Sequence, residues 1–245
     1  MNLGLHLWIH PVFEILGYAA GYALYRRWQT GQDDVFEEEQ RWQIIAAAAI
    51  GALVGSRTLG LLEQAPGGHY TWMTIVMPGG RTAVGGLLGG WMAAVLCKRQ
   101  RGLFARAADQ FAVPACLGIA IGRIGCFLTG LSDGTEGKPT SLPWGIDFGD
   151  GIARHPTPIY EILFLAALAA ILYRYRLSPH PEGAAFRFFM ASYLAWRLLI
   201  DFIKPDPVVY GLSFIQWACV AGLLVLLPGL MRFLPIPHRA VRSNE

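Results

Sequence analysis

Residues 111–128 read FAVPACLGIAIGRIGCFL, and Arg123 is the one charged side chain within this apolar run. An apolar segment of about 18 residues is long enough to cross a bilayer as a helix. A guanidinium at membrane depth costs at least ~2.5 kcal/mol on insertion scales, so a buried arginine favours a functional site. Arg57 and Arg197 lie inside apolar segments in the same way. Three such cations predict an anionic ligand, and the abundant anion of a bilayer is a lipid phosphate.

The composition of the whole chain is typical of a membrane protein. Of 245 residues, 54% are apolar and 15% are charged, against about 25% charged in typical soluble domains. This excludes a disordered chain and argues against a soluble domain. The apolar segments predict an all-α integral membrane protein, a single transmembrane domain over 1–245 with seven transmembrane helices at 7–25, 44–62, 82–97, 111–128, 157–173, 184–203 and 211–230.

The distribution of basic residues predicts the orientation in the membrane. With the N-terminus outside, thirteen lysines and arginines near the spans fall on the cytoplasmic side and four on the outer side. The positive-inside rule therefore favours an N-out, C-in protein. The first helix lacks a basic n-region and a small-residue cleavage site, so we expect it to be retained. No basic patch interleaves with aromatic residues, which argues against a nucleic-acid partner.

The loop at 130–156 is long for a connection within a compact protein, and loops of this length are usually functional or disordered. The alternation of Trp144, Ile146 and Phe148 with Gly145 and Asp147 favours a short packed strand over disorder. We therefore predict an ordered periplasmic cap over the active site.

Two other segments outside the predicted spans are less informative. The acidic loop at 28–43 is typical of a solvated surface and receives no catalytic role. The segment 72–80 ends in Pro78-Gly79-Gly80 and is too short to span, so it is interpreted as re-entrant or interfacial.

Small residues recur in patterns that suit helix packing. Glycine pairs spaced by four, as in Gly51/Gly55 and Gly85/Gly89, let membrane helices approach closely. They predict packing within the bundle, with dimerisation through one such face as the alternative. The cysteines show no paired spacing and predict neither a disulfide nor a metal site, so each is interpreted as a small packing residue: Cys97, Cys116, Cys126 and Cys219.

Arg197 lies near the middle of its segment, with Tyr193 four residues before and Asp201 four residues after. These three side chains share one helix face. They can form a self-satisfied structural pair, or Asp201 can orient Arg197 to hold a phosphate. We favour the second interpretation because the planar guanidinium binds two phosphate oxygens at once. Arg123 and Arg57 lie closer to helix ends, where the alternative is an arginine that snorkels to the interface.

A second polar cluster lies where the outer loop enters the fifth segment, in the sequence RHPTPIYE at 154–161. His155 can accept a proton near neutral pH, although a lone histidine is more often structural. Glu161 follows about one turn into the helix, beside Tyr160. These groups suggest a reaction in which a base deprotonates a nucleophile that attacks a lipid carbon. Arg123 and Arg197 would stabilise the leaving phosphate, because preorganised charge is usually the main catalytic contribution.

These pieces resemble the phosphatidylglycerol–prolipoprotein diacylglyceryl transferases, integral enzymes of the bacterial inner membrane. The resemblance covers about 51–216 and rests on pieces in family order: Gly55-Ser56-Arg57, Gly85-Gly86-Leu87-Leu88-Gly89, Gly122-Arg123-Ile124-Gly125-Cys126-Phe127, Arg154-His155-Pro156-Thr157 with Tyr160-Glu161, Tyr193 with Arg197 and Asp201, and Gln216.

The resemblance implies transfer of a diacylglyceryl group from phosphatidylglycerol, or another anionic phospholipid, to the lipobox cysteine of a prolipoprotein, whose signal peptide would be a partner. It implies no metal and no organic cofactor. The residues and the resemblance together predict as catalytic Arg123, Arg197, His155 and Glu161. They predict as substrate-binding Arg57, Tyr193, Tyr160, Arg154, Asp201, Gln216, Gly85 and Gly86.

The chain departs from the family pattern in the residues that would activate the nucleophile. The family has a histidine, proposed as the base, where this chain has Val84, and an asparagine where it has Cys126. The family also continues with Asn-x-Glu after the phenylalanine that matches Phe127. Valine cannot accept a proton, so His155 or Glu161 would serve as base. The alternatives are a related transferase with a non-lipoprotein acceptor, or a non-catalytic lipid-binding membrane protein.

Overall fold

The computed structural model describes residues 3–29, 36–64, 82–103 and 107–231. Within these ranges the chain is almost entirely helical, as predicted. Seven α-helices follow one another: α1 Leu3–Gln29, α2 Glu38–Gln64, α3 Ala83–Gln100, α4 Ala112–Thr129, α5 Thr157–Arg176, α6 Ala184–Ile200 and α7 Phe214–Met231.

Each predicted apolar segment lies on one of these helices, with differences at two ends. The segment 184–203 is divided into α6 and a 3-10 turn at Asp201–Ile203. Helix α7 begins at Phe214, three residues after the predicted start at 211. Gly211 has a φ of 84°, and the Ser213 hydroxyl accepts a hydrogen bond from the Gln216 amide at 3.1 Å. Ser213 therefore caps the helix, since serine favours this position.

Three stretches of the described chain are long and apolar enough to cross a membrane, by length and composition: Glu38–Glu63, Ala108–Asp133 and Thr157–Arg176. The last helix contains a shorter apolar stretch, Phe214–Gly229. The acidic residues at 33–34 and the segment 72–80, interpreted above as re-entrant, lie outside the described residues.

The helices pack in pairs around a shared core. Helix α2 packs on α3, α1 on α4, α4 on α5, and α6 on α7. The centre is filled by side chains of α5, α6 and α7, including Leu165, Phe189, Met190, Leu194 and Cys219, each fully buried. This arrangement brings the polar faces of α4, α5 and α6 together near one end of the bundle.

Glycines set the distance between α2 and α3, as their spacing predicts. A Cβ at Gly55 would lie 2.3 Å from the Gly85 carbonyl oxygen, and one at Gly89 would lie 2.3 Å from that of Gly51. Real Cβ atoms do not approach backbone oxygens so closely, so each position requires glycine. A Cβ at Gly17 would likewise lie 2.5 Å from the Gly118 carbonyl oxygen, where α1 meets α4.

The 130–156 loop is ordered and tied to the helices. It begins with a 3-10 turn at Gly130–Asp133 and contains an antiparallel hairpin of β1 (Ile146–Asp147) and β2 (Ala153–Arg154). The strand predicted around Ile146 is therefore confirmed, although it is only two residues long. The Lys138 amide donates to the Ile203 carbonyl at 2.7 Å, which fixes the loop to the end of α6.

We expect Gly89→Ala to lower the thermal stability of the protein in detergent. The added methyl group would meet the Gly51 carbonyl oxygen, and overpacking typically costs about 1–3 kcal/mol. Gly86→Ala is the matched control, because its Cβ would make ordinary contacts at 3.7 Å. Size-exclusion profiles after heating compare the two variants. Equal stability of both would contradict backbone contact between α2 and α3.

Candidate functional site

Glu161 is the centre of a buried ionic cluster between three helices. On its carboxylate, Oε1 accepts a hydrogen bond from the Tyr193 hydroxyl at 2.6 Å and lies 3.0 Å from Arg123 Nε. Its Oε2 accepts from an Arg197 terminal nitrogen at 3.1 Å. Glu161 is 2% exposed and Arg197 is 4% exposed. Helices α4, α5 and α6 thus each contribute a charged group to one site.

The spacing along α6 explains why Arg197 points into this cluster. Tyr193, Arg197 and Asp201 follow at intervals of four and lie on one face, as predicted. A second terminal nitrogen of Arg197 lies 2.8 Å from Asp201 Oδ1. The guanidinium is therefore held between two carboxylates, Glu161 on one side and Asp201 on the other.

Burial makes this cluster sensitive to the loss of any member. Removing one partner of a buried ion pair typically costs about 3–5 kcal/mol, because the remaining charge is left without compensation. Within the cluster, Arg197 Nε and both carboxylate oxygens of Asp201 are buried and have no hydrogen-bond partner among the residues that the structure describes. Buried donors are nearly always satisfied, so this N–H favours a ligand that supplies an acceptor.

Lys204 is a member of the site that the sequence analysis did not identify. It follows the turn after α6 and is 7% exposed. Burial, and then the positive charge of Arg197, lower the pKa of the Lys204 ammonium, while the Asp201 carboxylate opposes this shift. A lysine directly after an apolar segment is typical of the membrane interface. The sequence therefore did not predict that Lys204 is buried.

The predicted polar cluster around His155 forms a separate chain of contacts. His155 Nδ1 lies 3.2 Å from the Tyr160 hydroxyl, which also accepts a hydrogen bond from the Trp144 indole at 2.8 Å. Among the described residues, no hydrogen bond or ion pair joins His155 to Arg123 or Arg197. Tyr160 nevertheless precedes Glu161 directly, so the two groups occupy neighbouring positions at the start of α5.

Arg154 occupies a more open position in the hairpin. Its guanidinium binds Asp150 in a bidentate pair, with both N–O distances at 2.7 Å. The hydrogen bond and charge of Arg154 lower the pKa of Asp150, and Asp150 in turn raises the pKa of Arg154. This pair closes the hairpin and does not contact the Glu161 cluster within the described part of the chain.

The remaining predicted site residues have local structural contacts. Gln216 accepts from the Ser213 amide at 2.9 Å and donates to the Leu198 carbonyl at 3.0 Å, which ties α7 to α6. Gly85 contacts the α2 backbone. Gly86 lies on the same turn of α3, and Arg57 is half-buried on α2.

A second constellation, which sequence reasoning missed, lies beside Arg123. His10 Nδ1 is 2.7 Å from Asp133 Oδ1, and Cys126 Sγ is 3.8 Å from the same nitrogen. Arg123 reaches Cys126 Sγ at 3.7 Å. The position of Cys126 three residues after Arg123 was the one feature of the sequence that indicated a contact between members of this constellation.

Comparison with known proteins identifies the family. A family model described as prolipoprotein diacylglyceryl transferase matches residues 1–232. A relative from Geobacter sulfurreducens, named phosphatidylglycerol–prolipoprotein diacylglyceryl transferase, is 33% identical over 83% of this chain and 80% of its own length. Relatives of the same name from Bordetella avium and Nitrosomonas europaea are 30% and 31% identical, over 96% and 85% of this chain and 92% and 80% of their own lengths. The chain therefore belongs to the prolipoprotein diacylglyceryl transferase family of membrane-embedded transferases.

Proposed function

We propose that this protein transfers the diacylglyceryl group of phosphatidylglycerol to the lipobox cysteine thiol of prolipoproteins and releases glycerol phosphate. The observation that carries the proposal is the pair of guanidiniums held by Glu161, with a buried Arg197 N–H left unpartnered. The names of the relatives support the reaction, and the arginine pair supports the phospholipid donor.

The arginine pair suits the departure of a phosphate group. As the bond between carbon and phosphate oxygen breaks, negative charge increases on the phosphate. Donors that are already oriented stabilise this charge without reorganisation. Glu161 supplies that orientation for both Arg123 and Arg197. Since its two oxygens already bind three donors, we assign Glu161 the role of positioning the arginines, and not the role of base.

His155 remains the candidate base among the residues identified from sequence. Val84, at the position of the family histidine, is 1% exposed in the core of the bundle and has no acidic or basic group. His155 lies in the loop that enters α5, and its imidazole contacts the Tyr160 hydroxyl of that helix. A histidine oriented in this way can take the proton of an incoming thiol.

We further propose seven transmembrane spans with the N-terminus outside, in the bacterial inner membrane. In that topology the end of α4 and the start of α5 face the periplasm, and the 130–156 loop connects them as a cap over the site. Both Arg123 and Glu161 lie near these helix ends, so the proposed site opens towards the side where secreted prolipoproteins emerge.

A related transferase with a non-lipoprotein acceptor is the second candidate function. It is favoured by Val84 and Cys126, which replace the base and the asparagine of the family pattern. The phosphate-binding residues are retained and the thiol-activating ones are altered, so a phospholipid donor with another acceptor would fit the same geometry. A non-catalytic lipid-binding protein is the alternative outside the enzymes.

We expect Arg123→Ala to reduce transfer by about 10²–10³-fold, the usual cost of removing a donor to a developing anion. The assay follows glycerol phosphate release from phosphatidylglycerol by purified protein given a lipobox-cysteine peptide. Arg123→Lys should also be impaired, because an ammonium cannot reproduce the guanidinium fork. Arg99→Ala, an exposed arginine at the end of α3, is the control.

Peptide-dependent release by the wild-type protein would support the lipoprotein acceptor. Binding of phosphatidylglycerol without peptide-dependent release would favour the other acceptor class. Full activity of Arg123→Ala, with Arg99→Ala also active, would contradict the proposed role of the arginine pair.

We expect His155→Gln to slow transfer by about 10²–10⁴-fold, as for other general bases. Tyr160→Phe tests the positioning of the imidazole, since it deletes the hydroxyl that contacts His155. That variant should show a smaller rate loss. An unchanged rate in His155→Gln would assign proton removal to another group.

A further inference from the structure

The cluster beside Arg123 joins three different donor types from three parts of the chain. His10 lies on α1, Cys126 near the end of α4, and Asp133 in the 3-10 turn that follows. The imidazole nitrogen, the sulfur and the carboxylate oxygen all lie within 4.8 Å of one another. Packing of α1 on α4 brings His10 to the other two, since 116 residues separate it from Cys126.

These three donors are the ligand types that zinc prefers in proteins: histidine nitrogen, cysteine sulfur and carboxylate oxygen. A tetrahedral site with the usual bond lengths requires donor separations of roughly 3.3–3.6 Å. The sulfur–nitrogen distance of 3.8 Å is close to this value. The oxygen–nitrogen distance of 2.7 Å would have to open by about half an ångström on metal binding.

The surroundings also suit a divalent cation. As ligands, a thiolate and a carboxylate carry two negative charges, which a divalent ion neutralises. Thr135 Oγ1 donates to Asp133 Oδ2 at 2.9 Å and leaves Oδ1 directed at His10. Such outer hydrogen bonds orient metal ligands. Arg123 lies 3.7 Å from Cys126 Sγ, and Glu161 compensates the charge of this guanidinium.

We propose that His10, Cys126 and Asp133 form a binding site for a divalent transition metal, with Zn²⁺ as the best-suited ion. This differs from the prediction, based on cysteine spacing, that the chain has no metal site. Three protein ligands leave a fourth coordination position, as in catalytic zinc sites. The His10 side chain is 37% exposed, so the cluster can be reached from outside the bundle.

The metal would activate the acceptor thiol, which Val84 cannot do. This consequence rests on the proposed function. A zinc ion held by His10, Cys126 and Asp133 would favour the thiolate form of an acceptor thiol, and His155 would take the thiol proton. The carbon–sulfur bond would form at the diacylglyceryl carbon that carries the phosphate ester, as the bond from that carbon to the phosphate oxygen breaks. Glycerol phosphate would leave with the electron pair of that bond and take up the proton from His155. Arg123 contacts both Cys126 and Glu161, so the two halves of the site adjoin.

The test measures metal binding separately from transfer. Full-length protein, purified in detergent with a metal-free affinity tag, is loaded with Zn²⁺, desalted and assayed for zinc by mass spectrometry. We expect one zinc per chain, with affinity lowered at least tenfold in His10→Ala, Cys126→Ser and Asp133→Asn. Cobalt should give a thiolate-to-metal charge-transfer absorption that Cys126→Ser abolishes.

Matched controls are Cys97→Ser and His180→Ala, which remove a cysteine and a histidine outside the cluster and should retain zinc. Asp133→Asn keeps the shape of the carboxylate and guards against simple misfolding, which size-exclusion chromatography monitors. Failure of the wild-type protein to retain zinc, or equal retention by all variants, would overturn the proposal.

A final comparison separates this inference from the proposed function. Zinc retention with no transfer activity would leave the metal site intact and contradict the reaction. Transfer that is unaffected by zinc removal, in protein shown to bind zinc, would contradict the role of the metal in activating the thiol. Transfer by protein that never binds zinc would support the reaction and overturn the site.

Discussion

The structure of the site depends on the contact of Glu161 with two arginines from different helices. A buried carboxylate between Arg123 and Arg197 compensates charges that would otherwise be costly within an apolar bundle. It also fixes both guanidiniums in one orientation, with Tyr193 as a further donor. The remaining N–H of Arg197 is buried and has no hydrogen-bond partner among the described residues. The proposed anion binding would therefore rest on the same side chains as the stability of the bundle.

The rest of the fold positions this cluster. Glycine contacts hold α2 against α3 and α1 against α4 at backbone distance, so α4, which carries Arg123, has a defined place against α1. The outer loop is tied to the end of α6 through Lys138 and enters α5 at Thr157, about one turn before Glu161. Loop, helix end and ionic centre are therefore connected through a few residues.

Sequence patterns predicted the helices well because apolar segments are long and their glycine spacing is regular. The Arg197–Asp201 pair was also predictable, since residues four apart share a helix face. The meeting of Glu161 with both arginines depends on how three helices pack, which local patterns do not specify. The same limit applies to His10, which reaches Cys126 only through the packing of α1 on α4, and to the burial of Lys204.

The most direct measurement for this account is an experimental structure of the protein in a bilayer containing phosphatidylglycerol. We expect a phosphate oxygen of the bound lipid within hydrogen-bond distance of Arg197 Nε and of the Arg123 guanidinium, with Glu161 still between the two arginines. A headgroup bound elsewhere, with both arginines contacting only protein groups, would contradict the assignment of this cluster as the phospholipid site.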